Sequence, residues 1–197
     1  MNQMDLETVR KINGMAGRHR PFDWFMTGVA QYGHWVFVLY GIWMWFAGGS
    51  AAQVSRRRQS ASRALAGVIF CSALSWMIGM MWKRKRPFVR DWRIWNFTGH
   101  KANASFPSNH TANGMAAAWQ LCHDHMPGAW LLALWSAVLA FSRVFAGIHF
   151  PSDILGGAVL AAAVHRLVNH TRWSGRVIRA AAYVMSAVTD AAGRRHF

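Results

Sequence analysis

The stretch from Phe141 to Asp153 contains three side chains that could take part in chemistry. They are Arg143, His149 and Asp153, and Asp153 is the only acidic residue between positions 127 and 168. Ionisable groups are costly to bury in an apolar setting unless they are paired or hydrated. An arginine can bind phosphate, an imidazole can act as nucleophile or base, and a carboxylate can orient that imidazole. The stretch therefore predicts phosphoryl chemistry at a membrane surface.

The sequence around this stretch consists of long apolar blocks. Of the 197 residues, 53% are hydrophobic, with 12 Trp and 12 Phe. A bilayer-spanning helix needs roughly 20 mostly apolar residues, and the blocks approach that length. The sequence predicts one domain over residues 1–197, an all-α polytopic membrane bundle of five to six transmembrane helices. The expected spans are residues 22–46, 64–82, 108 or 109 to 122, 129–145 and 152–168, with a sixth helix over 173–189.

Two further segments complete the expected organisation. Residues 4–17 alternate apolar and charged positions and predict a short helix lying in the membrane interface, within an N-terminal interfacial segment over 1–21. Residues 55–63 form a compact basic loop, which the positive-inside trend places in the cytoplasm. The polar ends of the second to fifth spans would then share the opposite face. This orientation predicts a multi-pass protein of the bacterial inner membrane whose site faces the periplasm or exterior, with the inverted orientation as the alternative.

The net charge of +15 fits basic loops and contact with anionic lipid head groups. No nucleic-acid-binding motif accompanies it, so a nucleic-acid partner is not expected. Cys71 and Cys122 lie within predicted helices and are interpreted as packing residues. His123 and His125 could suggest a metal site, but they fall on the other face from the polar cluster and are interpreted as loop residues. No metal or cofactor is expected.

Two more polar stretches fall on the same face as His149. Lys83-Arg84-Lys85-Arg86-Pro87 follows the second span, and Pro107-Ser108-Asn109-His110 opens the third. The basic run could serve only to set topology or contact lipid, and the second stretch could be only a helix start with a Ser or Asn cap. The same helix start would leave backbone N–H groups free for a bound phosphate. Purely structural roles are harder to sustain for all three stretches at once, because all of them lie on one face of the predicted bundle.

Taken together, the three stretches resemble the type 2 phosphatidic acid phosphatase superfamily, which also contains the vanadium haloperoxidases. That family combines a basic stretch ending in Arg-Pro, then Pro-Ser-x-His, then Ser-Arg-x5-His-x3-Asp, and residues 83–153 carry these catalytic motifs in the same order. Residues 102–110, ANASFPSNH, are similar to the branch that contains bacterial undecaprenyl-diphosphate phosphatases. One departure is Gly79, which stands where the wider family usually has a lysine.

The resemblance implies a role for each motif residue. His149 would attack phosphorus and form a phosphohistidine, Asp153 would orient its ring, and His110 would protonate the leaving oxygen and then activate water. The expected phosphate-binding residues are Arg86, Arg143, Ser108, Lys83, Lys85, Asn109 and Gly147. Either Lys83 or Lys85 would replace the lysine missing at Gly79, or the site would use fewer cations.

The resemblance also implies a substrate. It is a lipid diphosphate, with undecaprenyl diphosphate first and phosphatidylglycerophosphate, phosphatidate or a lipid A phosphate as alternatives. A lipid phosphotransferase and a non-catalytic basic membrane protein are the alternatives from other classes. The expected partners are the lipid substrate and membrane lipids, and the oligomeric state stays open.

Overall fold

The computed structural model describes residues 3–170 together with positions 180, 183 and 187. Residues 3–170 form eight helices and no strand, which confirms the all-helical prediction. The predicted helix over 173–189 lies outside the described residues except at those three positions. The helices are α1 (Gln3–Asn13), α2 (Arg20–Tyr32), α3 (Trp35–Phe46), α4 (Ala51–Met81), α5 (Pro87–Arg90), α6 (Asn109–His123), α7 (Ala129–Phe145) and α8 (Pro151–His170).

Helix α6 lies at the centre of the bundle and packs against α4, α7 and α8. Its buried face is built from small residues, because Ala112, Ala116, Ala117 and Ala118 are all at most 5% exposed. Small side chains allow neighbouring helix backbones to approach closely, as they do between membrane helices. The helix that opens with the Pro-Ser-Asn-His stretch is therefore held on three sides, which fixes the position of its first turn.

The predicted first span over 22–46 is wrong as a single helix, because the helix is interrupted at Gly33 and His34, between α2 and α3. A side chain at Gly33 would meet the carbonyl oxygen of Val29 at 2.5 Å and Leu139 at 3.1 Å. The Gly33 carbonyl also accepts a 2.8 Å hydrogen bond from the indole of Trp135. These close contacts with α7 hold the break, which turns His34 towards the site described below.

The predicted basic loop at 55–63 is also wrong, because these residues belong to α4. Ser50 and Gln53 form a reciprocal capping box that starts the helix at Ala51, well before the basic residues. The arginines then satisfy exposed carbonyl groups at neighbouring helix ends. Arg58 donates to the Trp45 carbonyl at 3.1 Å and Arg56 donates to the Asp124 carbonyl at 2.9 Å. They stabilise the end of the bundle where α3 and α6 finish.

Within the described residues, only α4 is long and apolar enough to cross a membrane by length and composition alone. Helices α3 and α7 are apolar but shorter, so the predicted number of five to six spans is not established. Many large apolar side chains nevertheless point away from the bundle, and contiguous exposed apolar surface marks membrane or protein contact. Examples on three helices are Ile69 and Trp76, Leu131 and Leu134, and Leu155 and Val159.

Helix α1 is attached to the bundle beside the loop that joins α7 to α8. Val9 is fully buried in a cluster with Ile94, Val144 and Phe150. Asn13 at its end donates to the Phe145 carbonyl at 2.8 Å and to the Trp95 carbonyl at 3.0 Å. The N-terminal helix thus contacts the segment that carries His149.

Candidate active site

Four helix junctions meet at one end of the bundle and enclose a polar cavity of about 650 Å³. They are the end of α4, the start of α6, the end of α7 and the loop before α8. Of the residues predicted for the site, seven line this cavity: Lys83, Lys85, Arg86, Asn109, His110, Arg143 and His149. Side chains far apart in the sequence therefore share one chamber, because the helix ends that carry them lie side by side.

His149 is 3% exposed and sits in the loop between α7 and α8. Its Nε2 lies 3.1 Å from Nη1 of Arg86. A guanidinium can donate but not accept, so Nε2 accepts in this contact and a neutral ring carries its proton on Nδ1. Nδ1 lies 3.4 Å from Oδ2 of Asp153, without the alignment of a full hydrogen bond. The ring therefore directs an unprotonated nitrogen towards the cavity cations.

Burial lowers the pKa of His149 from its usual 6.5 to about 4. The contact with Asp153 opposes this shift, and the charges of Arg86 and Arg143 add to it. The imidazole is consequently neutral at physiological pH. A neutral ring is the form that can use its lone pair as a nucleophile.

Arg86 connects two of the loops that build the cavity. Its Nε donates to Asn103 at 2.9 Å and its Nη2 donates to the Ala104 carbonyl at 3.0 Å. Its Nη1 donates to the Ile148 carbonyl at 2.7 Å, beside His149. Pro87 begins α5 directly after it and ends the extended segment. Burial lowers the pKa of Arg86 to about 10, so the group stays charged at neutral pH.

Arg143 lies in the last turn of α7 and is 3% exposed. One of its terminal nitrogens donates to the Ala30 carbonyl on α2. Its Nε has no hydrogen-bond partner among the described residues, and the residue lines the cavity together with Arg86. A buried arginine with donor capacity to spare suits an anion, because phosphate oxygens accept bidentate hydrogen bonds.

His110 lies in the first turn of α6, where it faces two cavities at once. Its ring contacts the ring of His34 edge to face, with centroids 5.4 Å apart. His110 and Asn109 line both the polar cavity and an apolar cavity of about 630 Å³ between α3, α4 and α6. The imidazole therefore stands at the junction between the cationic chamber and an apolar one.

Three predicted site residues are not on the polar cavity wall. The Ser108 amide donates to the Asp153 carbonyl at 3.0 Å, and its hydroxyl accepts from Thr111 at 3.0 Å, so Ser108 joins α6 to α8. Gly147 has φ +73, and a side chain there would meet the Trp95 carbonyl at 2.5 Å. Asp153 is fully buried behind His149. Their placement favours shaping the site over direct contact with a phosphate.

The structure brings in residues that the motif comparison did not single out. Arg84 lines the cavity and contacts Asp153, Asp5 of α1 contacts Arg84, and Asn103 holds Arg86. Arg84 stood inside the basic run and could have been noticed there. Asp5 gave no signal, because nothing in the local sequence couples residue 5 to residue 153.

The position of the missing lysine also lies in the cavity wall. A side chain added to Gly79 would meet Ala104 at 3.5 Å and the Phe106 carbonyl at 3.7 Å, which are ordinary contacts. Lys83 and Lys85 line the same cavity and are exposed. Two flexible cations therefore stand near the place where the family usually has one. No group of three His, Cys, Asp or Glu side chains that could hold a metal ion occurs in the described part of the chain.

A sequence profile described as the PAP2 superfamily matches residues 60–176, more than half of the chain. The chain belongs to the PAP2 superfamily. PAP2 stands for type 2 phosphatidic acid phosphatase, so the resemblance drawn from the three motifs is confirmed.

Individual relatives agree with this PAP2 assignment. The chain is 25% identical over 158 residues to undecaprenyl-diphosphatase BcrC of Bacillus subtilis, covering 80% of this chain and 79% of that protein. It is 35% identical over 117 residues to putative undecaprenyl-diphosphatase YbjG of Escherichia coli, covering 59% and 55%. The crystal structure of LpxE from Aquifex aeolicus superposes with a TM-score of 0.70 at 23% identity, covering 84% of this chain and 94% of that one. This last likeness shows the fold.

Proposed function

We propose that this PAP2 protein is an integral membrane lipid phosphatase that converts undecaprenyl diphosphate to undecaprenyl phosphate and so recycles the lipid carrier of cell-wall synthesis. The observation that carries the phosphatase assignment is the pairing of a buried, neutral His149 with Arg86 at 3.1 Å on the wall of a cationic cavity. Membership of the PAP2 superfamily and the likeness to two proteins named undecaprenyl-diphosphatases support the same reaction class.

The first half-reaction transfers the terminal phosphoryl group to the protein. Arg86, Arg143 and the exposed Lys83 and Lys85 neutralise the charge of the diphosphate, which would otherwise repel a nucleophile. Nε2 of His149 attacks the terminal phosphorus, an N–P bond forms, and the bond to the bridging oxygen breaks. His110 takes up a proton from solvent as the anionic diphosphate binds beside it. It gives this proton to the bridging oxygen, and undecaprenyl phosphate leaves.

The second half-reaction returns the protein to its starting state. His110, now unprotonated, takes a proton from a water molecule that attacks the phosphorus of the phosphohistidine. The N–P bond breaks, inorganic phosphate leaves, and His149 recovers its lone pair. Asp153 stabilises the ring throughout, since its Oδ2 faces Nδ1 and favours the tautomer that keeps Nε2 free.

The apolar cavity supports a long hydrocarbon as the leaving part of the substrate. It is lined by residues of α3, α4 and α6 and meets the polar cavity at Asn109 and His110. A lipid diphosphate has the matching arrangement, because its charged head is joined directly to an apolar chain. The part of the chain next to the phosphates would occupy the apolar cavity while the remainder extends into the bilayer.

The arginines near the start of α4 support a periplasmic or exterior site. The many basic residues of 83–101 run against the positive-inside trend, which is explained if they are cations recruited for an anionic substrate. Arg56, Arg57 and Arg58 lie near the start of α4, and the polar cavity lies at its other end. At 1.5 Å per residue, Arg58 and Trp82 are roughly 36 Å apart along the helix, about the thickness of a bilayer core. Basic residues concentrate on the cytoplasmic side of inner-membrane proteins. The site would then face the side where undecaprenyl diphosphate is released.

Phosphate release by the purified protein in detergent micelles tests the function. The panel contains undecaprenyl diphosphate, phosphatidylglycerophosphate, phosphatidate and a lipid A phosphate, with wild type, His149→Ala and the exposed control His19→Asn. We expect undecaprenyl diphosphate to be cleaved fastest, activity to be lost only in His149→Ala, vanadate to inhibit, and EDTA to leave the rate unchanged. Preference for a glycerolipid would overturn the substrate, and full activity in His149→Ala would overturn the mechanism.

A pair of variants on α3 tests the apolar cavity. Val38 lines it, whereas Val36 on the same helix does not, and both side chains are about 40% exposed. Val38→Trp should raise KM for undecaprenyl diphosphate several-fold and leave cleavage of a short soluble phosphate ester unchanged, while Val36→Trp should change neither. Equal effects of the two tryptophans would remove the cavity from substrate binding.

A further inference from the structure

The buried carboxylate behind His149 is held from the far side by a residue of the basic run. Nη1 of Arg84 donates to Oδ1 of Asp153 at 2.5 Å and to the hydroxyl of Ser152 at 2.7 Å. The guanidinium also lies over the ring of Phe150, 4.3 Å from its centroid. Planar stacking and forked hydrogen bonds both restrict an arginine to one orientation.

The other end of the same guanidinium is held by the N-terminal helix. Nη2 of Arg84 donates to Oδ2 of Asp5 at 2.6 Å. Asp5 is 8% exposed. Its Oδ1 accepts from the Ser152 amide at 3.1 Å, and its Oδ2 also accepts from the Ser152 hydroxyl. The Ser152 amide belongs to the first turn of α8, where backbone donors lack partners within the helix. Asp5 therefore anchors Arg84 and the start of α8 together.

These contacts give the two carboxylate oxygens of Asp153 different partners. Oδ1 is taken by Arg84, while Oδ2 accepts from the Phe150 amide at 2.8 Å and faces Nδ1 of His149. The carboxylate cannot rotate without breaking a contact at each oxygen. Because Asp153 has no exposed surface, the loss of Arg84 would also leave a buried charge less compensated.

We propose that Asp5 and Arg84 are positioning residues of this site, with Asp5 holding Arg84 so that Arg84 fixes Asp153 in the rotamer that orients His149. The inference rests on the proposed phosphohistidine mechanism and adds the N-terminal helix to it. Asp5 acts through two other side chains and does not line the polar cavity, so its effect should fall on the chemical step. Substrate binding by Arg86 and Arg143 should change little.

Steady-state kinetics on Asp5→Asn test this idea, with Glu7→Gln as the matched control, because Glu7 is an exposed acidic residue of the same helix. Rates are divided by the amount of protein that elutes as a single folded species in detergent, so that a loss of folded protein does not count as a loss of turnover. We expect Asp5→Asn to lower kcat about tenfold or more with KM within about twofold, Asp5→Glu to recover part of it, and Glu7→Gln to match wild type. An unchanged kcat per folded molecule in Asp5→Asn would overturn the proposal.

A double-mutant cycle makes the test independent of either single variant. Asp5→Asn and Arg84→Gln should together cost much less than the product of their separate losses, because both break the same chain of contacts. Effects that multiply would overturn the proposal. Should Asp5→Asn not fold, Arg84→Lys replaces it, since an ammonium lacks the fork that reaches both carboxylates. Full kcat in Arg84→Lys would be equally decisive against the idea.

The activity of the wild type distinguishes failure of this inference from failure of the proposed function on which it rests. If wild type releases no phosphate from any lipid of the panel, the proposed function fails. If wild type is active and Asp5→Asn equals it in kcat, only the positioning role fails.

Discussion

Nη1 of Arg86 and Nε2 of His149 lie 3.1 Å apart. The guanidinium that is expected to bind phosphate therefore donates a hydrogen bond to the nitrogen lone pair that is expected to attack the phosphorus. A phosphate oxygen that enters the cavity competes for the same guanidinium hydrogen bond. Charge-assisted hydrogen bonds to phosphate are stronger than those to a neutral ring nitrogen. Binding of substrate would thus draw Arg86 away from Nε2 and release the nucleophile at the moment the phosphorus arrives.

This relationship predicts that Arg86→Lys is severely impaired even though it conserves charge. A lysine has a single ammonium and cannot keep the contacts to Asn103, Ala104 and Ile148 while binding phosphate. We expect kcat/KM for undecaprenyl diphosphate to fall about 10²-fold or more. The control is Arg93→Lys, because Arg93 is an exposed arginine just after the short helix α5 and pairs with Asp91. Near-normal kcat/KM in Arg86→Lys would show that only its charge matters.

The role assigned to His110 predicts a dependence on the leaving group. General acid–base help is typically worth about 10²–10⁴-fold, so His110→Asn should lose activity on that scale with the lipid diphosphate. A p-nitrophenyl phosphate ester has a leaving oxygen that needs no proton. With it, the variant should release a rapid burst of nitrophenol equal to the enzyme concentration, followed by slow turnover as the phosphohistidine accumulates.

Wild type provides the comparison, because its phosphohistidine should hydrolyse quickly and give no burst of that size. If nitrophenol release by His110→Asn is as slow as lipid cleavage and shows no burst, His110 does not act as the acid of the first step.

The lowered pKa of His149 predicts a pH dependence of stability. The folded-state value of about 4 lies below the unfolded value of 6.5, so at low pH the unfolded chain binds a proton that the folded site resists. The stabilisation is fully present above pH 6.5 and is lost as the pH falls towards 4. We expect the thermal midpoint in detergent to drop across this window, and to drop less in His149→Gln. Identical profiles for the two proteins would mean that His149 is not held neutral by the fold.

Gly147 is expected to shape the loop of the nucleophile. Gly147→Ala combines a left-handed backbone, φ +73, with a side chain placed 2.5 Å from the Trp95 carbonyl. Gly99→Ala is the matched control, because Gly99 has φ +64 but no atom within 4 Å of an added side chain. The control should lose about 1 kcal/mol of stability from backbone strain alone. Gly147→Ala should lose roughly 1–3 kcal/mol more from the collision, measured by thermal unfolding, and equal losses would argue against close packing at Gly147.

Some of the fold could be predicted because apolar blocks and helix-breaking residues are local features. The fourth span was predicted over 129–145, which coincides with α7, and the third and fifth came within a few residues of α6 and α8. The errors arose where tertiary contacts decide. Gly33 is a break because α7 packs against it, and residues 55–63 are helical because a capping box precedes them and carbonyls at other helix ends accept from their arginines.

The candidate site can also be predicted only in part, because some of its features are local and others depend on tertiary contacts. Seven of the ten predicted residues line one cavity, since the order of the helices brings the ends that carry them to one side of the bundle. Ser108 and Gly147 carry motif positions but face backbone and neighbouring side chains. Which motif residue touches the cavity depends on the rotation of each helix end, and that rotation is set by packing around α6.

The sequence by itself determined the family, the residue types of the site and their assembly at one end of a helical bundle. Those follow from motif spacing and from the parity of apolar spans, which are properties of the linear chain. Only the tertiary structure decided that Nε2 of His149 meets Arg86, and that Asp5 reaches Asp153 through Arg84. Such contacts join residues up to 147 positions apart, as between Asp5 and Ser152, and depend on how α1 docks beside α8. Local propensity carries no information about that docking, because it is fixed by burial of Val9 and by hydrogen bonds between residues far apart in the chain.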